Sequence, residues 1–248
     1  MRRSKEKECK RRLAVHRGRS RRTGRHEGDT VTAMRGADAD VRVQTDLPVQ
    51  ESRRQVEIVP IVGQIEGHYL LSENMKTTRY EQLLPHLARI EERGEADGVL
   101  LLLNTVGGDV EAGLAIAEMV AGMRMPTVSL VLGGGHSIGV PLATAARVSF
   151  IVPTATMTLH PVRYNGTVIG APQSWRYLSG MQSRVLSFIE AHSGARREEV
   201  QALMLQSDDM ASDLGTILTG EEAVRIGLID RIGGLADAFA ALRAMSGG

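Results

Sequence analysis

Cysteine is all but missing from this 248-residue chain: there is one, Cys9. No disulfide can form within the chain, which fits a reducing compartment. Aromatics make up 3% of the residues against 42% hydrophobic in all, so the core must be built from Leu, Val, Ile, Ala and Met. No apolar run approaches the ~18–20 residues of a membrane-spanning helix. The basic N-terminus is not followed by the apolar stretch of a secretory signal, and the expected location is the cytoplasm. Lysine stops at Lys76, and no aspartate occurs between Ser137 and Asp208. The formal net charge is only +1, but residues 1–25 carry twelve Lys/Arg against two Glu. The remainder then carries 18 basic and 27 acidic residues, so the body is acidic and the tail basic.

Residues 1–55 show no sustained hydrophobic period and read as a disordered basic tail. Its charge suits nucleic acid or an anionic surface, although a solvated tail is the simpler reading. A start at a later methionine such as Met34 is the alternative. From residue 56 onward strand and helix patterns alternate, which predicts one α/β domain over 56–248. Strands are expected over 56–62, 98–104, 127–132, 148–152 and 156–159. Helices are expected over 78–93, 109–123, 172–192, 197–206 and 235–245, with one from Ser137 and a short one from Thr219. Gly98 to Asn104 is continuously apolar, the pattern of a strand covered on both faces. Asp109 is a predicted N-cap. Pro85 inside the first helix predicts a kink or a shortening.

The stretch around which the chain is organised is Gly133-Gly134-Gly135-His136-Ser137-Ile138-Gly139. It lies between a buried-strand pattern and an apolar helical run. Its last five residues read G-x-S-x-G, the spacing of a nucleophile elbow. Small neighbours permit a sharp turn that presents the hydroxyl, and the helix start offers backbone N–H groups to an oxyanion. The same pattern also occurs in phosphate-binding turns. A nucleophilic serine needs a base and the base an orienting group. The seven histidines narrow quickly. His16 and His26 are in the tail, His68 and His86 precede or occupy the first helix, and His136 adjoins the serine. His192 sits at a helix end. His160 sits at a predicted strand end, where catalytic groups of α/β folds collect. A serine–acid–histidine order fails, because only Glu190 separates Ser137 from the last histidine. A serine–lysine dyad fails because no lysine follows the serine. What remains is Ser137, His160 and an acid among Asp208, Asp209 and Asp213.

Four segments then resemble one family in the right order. Asn104-Thr105-Val106-Gly107-Gly108-Asp109-Val110-Glu111-Ala112-Gly113 resembles the N-S-P-G-G-x-V-x-A-G segment of the Clp protease proteolytic subunits. Gly135 to Gly139 is similar to their nucleophile turn, and Met157-Thr158-Leu159-His160-Pro161 to their M-I-H-Q-P base segment. Ile217-Leu218-Thr219-Gly220-Glu221-Glu222-Ala223, with Gly227 to Asp230, resembles their F-L-S-A-x-E-A…G-L-V-D ending. The resemblance covers roughly residues 56–240 and looks closest to the branch named for translocation enhancement.

The resemblance implies a ββα spiral fold shared by Clp-like peptidases and crotonases, with a handle helix around residues 174–192. Leu178, Met181, Val185 and Ile189 would form that helix's buried stripe. It implies Ser137 as nucleophile, His160 as base, and the N–H groups of Gly108 and Ile138 as the oxyanion hole. The acid is placed at Asp213, with Asp209 and then Asp208 as alternatives, because about two extra residues separate Asp213 from the matching segment. It implies no cofactor or metal, peptide or unfolded-protein substrates, and a homo-oligomeric ring. The axial loops that contact an ATPase in the family are not recognisable in residues 1–55. The chain departs further in having His136 at a small-residue position. The function expected is serine endopeptidase, linked to protein export or its quality control. The alternatives are an inactive Clp-like ring subunit and a crotonase-like acyl-CoA enzyme.

Overall fold

Strand β3, Gly98–Gly108, shows how the chain divides its core. Side chains of a strand alternate between two faces. Val99, Leu101 and Leu103 enter a large apolar cluster, whereas Leu100 enters a smaller one with Val128, Leu130, Phe150, Ala238 and Leu242. The continuous apolar run is therefore a strand covered on both faces, as predicted. Each fully buried Leu or Ile here stabilises by roughly 1.5–3 kcal/mol. The computed structural model describes residues 55–207 and 215–247. The basic tail and Asp208, Asp209 and Asp213 lie outside the described residues.

The sheet order is β2-β1-β3-β4-β5-β8. Its strands are β1 (Val56–Glu66), β2 (Thr77–Arg79), β3, β4 (Thr127–Gly135), β5 (Val148–Ile151) and β8 (Arg231–Ile232). All of these pairings are parallel. A second pair diverges from it: β6 (Thr156–Leu159) pairs parallel with the end of β4 at Gly134↔Thr156, and antiparallel with β7 (Thr216–Thr219). The carboxyl ends of β3, β4 and β6 thus point the same way, and ligand sites of open α/β sheets form outside such ends.

The larger cluster is covered by α1 (Tyr80–Arg93), α2 (Val110–Ala121), α3 (Gly139–Thr144), α4 (Ala171–His192), α5 (Arg197–Met204) and α6 (Gly220–Arg225). Helix α7 (Leu235–Ser246) covers the opposite face through Ala238 and Leu242. This mixed α/β arrangement bears out the expected fold class. Asp109 caps α2, its carboxylate accepting from the Ala112 N–H at 2.8 Å. Thr219 and Glu222 form a reciprocal capping box at α6.

Three expectations shift. Helix α1 runs unbroken through Pro85. The N–H that proline lacks would have met the carbonyl of exposed Glu81, which water can satisfy. Strand β4 continues through all three glycines rather than ending at Leu132, because the Gly134 N–H donates to Asn104 Oδ1 at 3.0 Å and prolongs the link to β3. The expected stripe of α4 splits. Val185 and Ile189 are buried, whereas Leu178 and Met181 are only half-buried. Trp175 and Tyr177 on the same half of the helix are exposed. Short strands β2, β7 and β8 escape a pattern search, because two to four residues carry no readable period.

Candidate active site

The chain leaves β4 at Gly135, turns through His136 and Ser137, and enters α3. Ser137 has φ 57°, the only positive value of a non-glycine among the described residues. Such a conformation costs roughly 1–2 kcal/mol and persists where surrounding bonds enforce it. The His136 N–H donates to the Thr105 carbonyl at 3.1 Å. The Ser137 N–H donates to the Thr158 carbonyl at 2.8 Å, and the Gly139 N–H to the His136 carbonyl at 2.8 Å. The serine turn is therefore pinned to both β3 and β6.

Glycine is required on the facing strand. A Cβ at Gly107 would lie 2.6 Å from Ser137 Cβ and 3.2 Å from its Oγ, and Gly107 itself has φ 88°. Only a residue without a side chain fits between the end of β3 and the serine. The first glycine of the Gly-Gly motif is thus explained by the approach of Ser137, and the second, Gly108, by the backbone of Ile65 on β1.

His160 follows the last residue of β6. Its Nδ1 lies 2.7 Å from the Pro161 carbonyl oxygen. A carbonyl only accepts, so Nδ1 carries the hydrogen and Nε2 of the neutral ring is the acceptor nitrogen. This is the tautomer a base acting through Nε2 needs. Gly108, Ser137, Ile138 and His160 line one cavity of ≈200 Å³, together with Val162 and Gln182 among others. The structure brings together all the expected site residues that it describes. A neighbouring cavity of ≈400 Å³ shares Pro161, Val162, Gln182 and Met204 with it. A larger hollow, ≈890 Å³, lies between α2 and α4 beside the Glu111–Arg184 ion pair and includes neither Ser137 nor His160.

Three residues that build the site carry no role in the sequence reading. Buried Thr105 donates from Oγ1 to the Gly63 carbonyl at 2.6 Å and accepts from the Gly107 N–H at 3.0 Å. It joins β1, the glycine pair and the serine turn. Thr158 holds the serine turn by its carbonyl, and Gln182 of α4 reaches the loop after His160. A polar residue at a buried strand position was the available signal for Thr105 and Thr158; Gln182 had none. His192 behaves as a helix-end histidine, its Nδ1 2.9 Å from the Phe188 carbonyl.

His136 is half-buried and lies outside the lining of the Ser137 cavity. Its Nδ1 shares a 2.8 Å hydrogen bond with Thr158 Oγ1, and its ring packs on Gly134, where a Cβ would come within 2.5 Å of Nε2. Burial pushes its pKa below the ordinary histidine value of 6.5. The folded state therefore binds fewer protons than the unfolded chain in the window below about 6.5. The stability contributed by neutral His136 is complete above that pH and fades as pH falls toward the depressed folded value. The melting temperature of the wild type should fall more steeply between pH 7 and 5.5 than that of His136→Gln. Parallel curves in thermal melts across that range would refute this.

The Clp protease family model matches residues 53–235. Over 196 residues the chain is 53% identical to the translocation-enhancing protein TepA of Halalkalibacterium halodurans, covering 79% of this chain and 76% of that protein. It is 21% identical to the ATP-dependent Clp protease proteolytic subunit 1 of Protochlamydia amoebophila, over 76% of this chain and 94% of the relative. With the ATP-dependent Clp protease proteolytic subunit of Leuconostoc citreum it shares 24% identity, over 78% of this chain and 90% of the relative. A family match spanning most of the described chain, with Gly108, the serine turn and the histidine converging on one cavity, leads to one conclusion: this chain belongs to the Clp protease family.

Proposed function

We propose that this protein is a serine endopeptidase. The observation that carries the reading is the convergence on one cavity of Ser137, in a strained turn, and His160, whose Nδ1 is the donor nitrogen. Ser137 Oγ attacks the peptide carbonyl as His160 Nε2 takes its proton. The N–H groups of Gly108 and Ile138 receive the oxyanion, each worth ~2.7–4 kcal/mol in the transition state. His160 then protonates the leaving amine, and water hydrolyses the acyl-enzyme by the same steps in reverse. Asp213 is the proposed acid that orients His160, with Asp209 and Asp208 as alternatives.

Residues 56–248 form the peptidase domain in this reading, behind a basic tail. The exposed half of α4 suits contacts between subunits of a homo-oligomeric ring. Relatives named as ATP-dependent proteolytic subunits support peptide or unfolded-protein substrates; the TepA name supports a link to translocation. Among the described residues no helix is long and apolar enough to cross a membrane, and the proposed location is the cytoplasm. The rival reading, a non-catalytic subunit, draws on the same TepA name, which speaks of translocation and not of proteolysis.

A fluorescent fluorophosphonate separates the two. The wild type should label and Ser137→Ala should not. Absence of labelling in a folded, assembled wild type would overturn the peptidase reading.

A further inference from the structure

The loop after His160 is held by a side chain from α4. Gln182 Oε1 accepts from the Val162 N–H at 2.7 Å. That N–H and the Pro161 carbonyl belong to one peptide unit, and the Pro161 carbonyl is the acceptor of His160 Nδ1 at 2.7 Å. Three groups thus lie in series: the Gln182 amide, the Pro161–Val162 peptide and the His160 imidazole. Gln182 is itself fixed, its Nε2 donating to Met204 Sδ of α5 at 2.9 Å.

From this series we infer that Gln182 is a positioning residue for the base. It fixes the peptide plane whose carbonyl accepts from His160 Nδ1 and, beside the acid proposed to orient the ring, favours the Nδ1–H tautomer of His160. A peptide plane is rigid, so holding its N–H fixes the direction of its C=O. A peptide whose N–H is already engaged is a stronger acceptor at its carbonyl, because hydrogen bonds in series polarise one another. Gln182 has no sequence signal for this role. It lies 20 residues from Val162 in the chain, on a helix face otherwise given to packing. Its amide is the polar contribution of α4 to the lining of the Ser137 cavity.

The inference rests on the peptidase reading for its catalytic consequence, but not for its structural content. The test therefore has two arms on the full chain. In the first, fluorophosphonate labelling is followed over time and reagent concentration for wild type, Gln182→Leu and Gln182→Glu. Leucine fills the space without an acceptor; glutamate keeps an acceptor oxygen for the Val162 N–H. The maximal labelling rate of Gln182→Leu should fall roughly ten- to hundred-fold, part of the ~10²–10⁴ that a positioned base contributes. The reagent concentration for half-maximal rate should stay within about threefold, and Gln182→Glu should recover most of the rate.

In the second arm, histidine ring nitrogens are observed by long-range ¹H–¹⁵N NMR, with His160→Gln assigning the resonance. His160 should be Nδ1-protonated in the wild type and shift toward Nε2–H in Gln182→Leu. An unchanged tautomer in Gln182→Leu overturns the inference whether or not the protein labels. Unchanged tautomer and rate together would leave Gln182 as a packing residue. A wild type that does not label but whose tautomer follows Gln182 would refute the peptidase reading and leave this one standing.

Discussion

Replacing His160 by glutamine should slow fluorophosphonate labelling of Ser137, and hydrolysis of peptide substrates, by roughly 10²–10⁴-fold. A serine hydroxyl is a weak nucleophile at neutral pH unless a base removes its proton during attack. Among the described residues that line the Ser137 cavity, His160 is the group suited to that role, since the charged side chain there, Arg163, stays protonated. Glutamine keeps a similar volume and can still donate toward the Pro161 carbonyl, but cannot accept and release a proton near neutral pH. The effect on folding should be small. His160 is half-buried, and its Nδ1 bond to the Pro161 carbonyl, which glutamine can still make, contributes about 1 kcal/mol net. Labelling kinetics and a thermal melt on the same preparation check both halves. A variant that labels at the wild-type rate would remove His160 from the mechanism.

Gly108→Ala should produce the second large effect, on stability and on activity together. Gly108 has φ 151°, and a Cβ there would lie 2.2 Å from the carbonyl oxygen of Ile65 and 2.7 Å from its nitrogen. Both atoms are backbone of the neighbouring strand, so no side-chain rotation relieves the overlap. The strands must part where Ile65 pairs with Gly108. The same Ile65 carbonyl accepts from the Asp109 N–H at 3.0 Å, so the strain passes to the N-cap of α2. Strained backbone and overpacking each cost about 1–3 kcal/mol, giving an expected loss of ~2–6 kcal/mol in denaturant unfolding. Displacing one oxyanion donor should lower the rate by a further ~10²–10³-fold in whatever fraction remains folded. Gly180→Ala is the control. A Cβ on Gly180 meets nothing within 4 Å, and alanine in mid-helix should stabilise by up to about 1 kcal/mol. A Gly108→Ala variant as stable and active as the wild type would refute both the packing and the donor assignment.

The elements that position the site were legible because their signals are local. Six consecutive apolar or small residues before Asn104 marked β3, and Asp109 marked the start of α2. The glycines and Ser137 marked a turn at the end of β4. The family resemblance added roles to these positions, and four of the five residues it named line one cavity. Where the sequence misled, it did so for tertiary reasons. Leu178 and Met181 have the spacing of a buried stripe, but the fold supplies no full cover for that half of α4. Leu132 looked like the last residue of its strand, but Asn104 on β3 captures the next backbone and extends the pairing.

Local chemistry by itself determined that a serine, a histidine and a glycine pair stand at three strand ends, because strand runs and turn residues are read within a few positions of each other. Only the tertiary structure decided how they meet. Strand β6 leaves the main sheet to pair with β7, and this places the Thr158 carbonyl under the Ser137 N–H. Helix α4 lays Gln182 against the Val162 N–H from 20 residues away. Such bonds join partners with no periodic relation in the chain. Their geometry follows from how the layers pack, and the tautomer of His160 follows from that geometry.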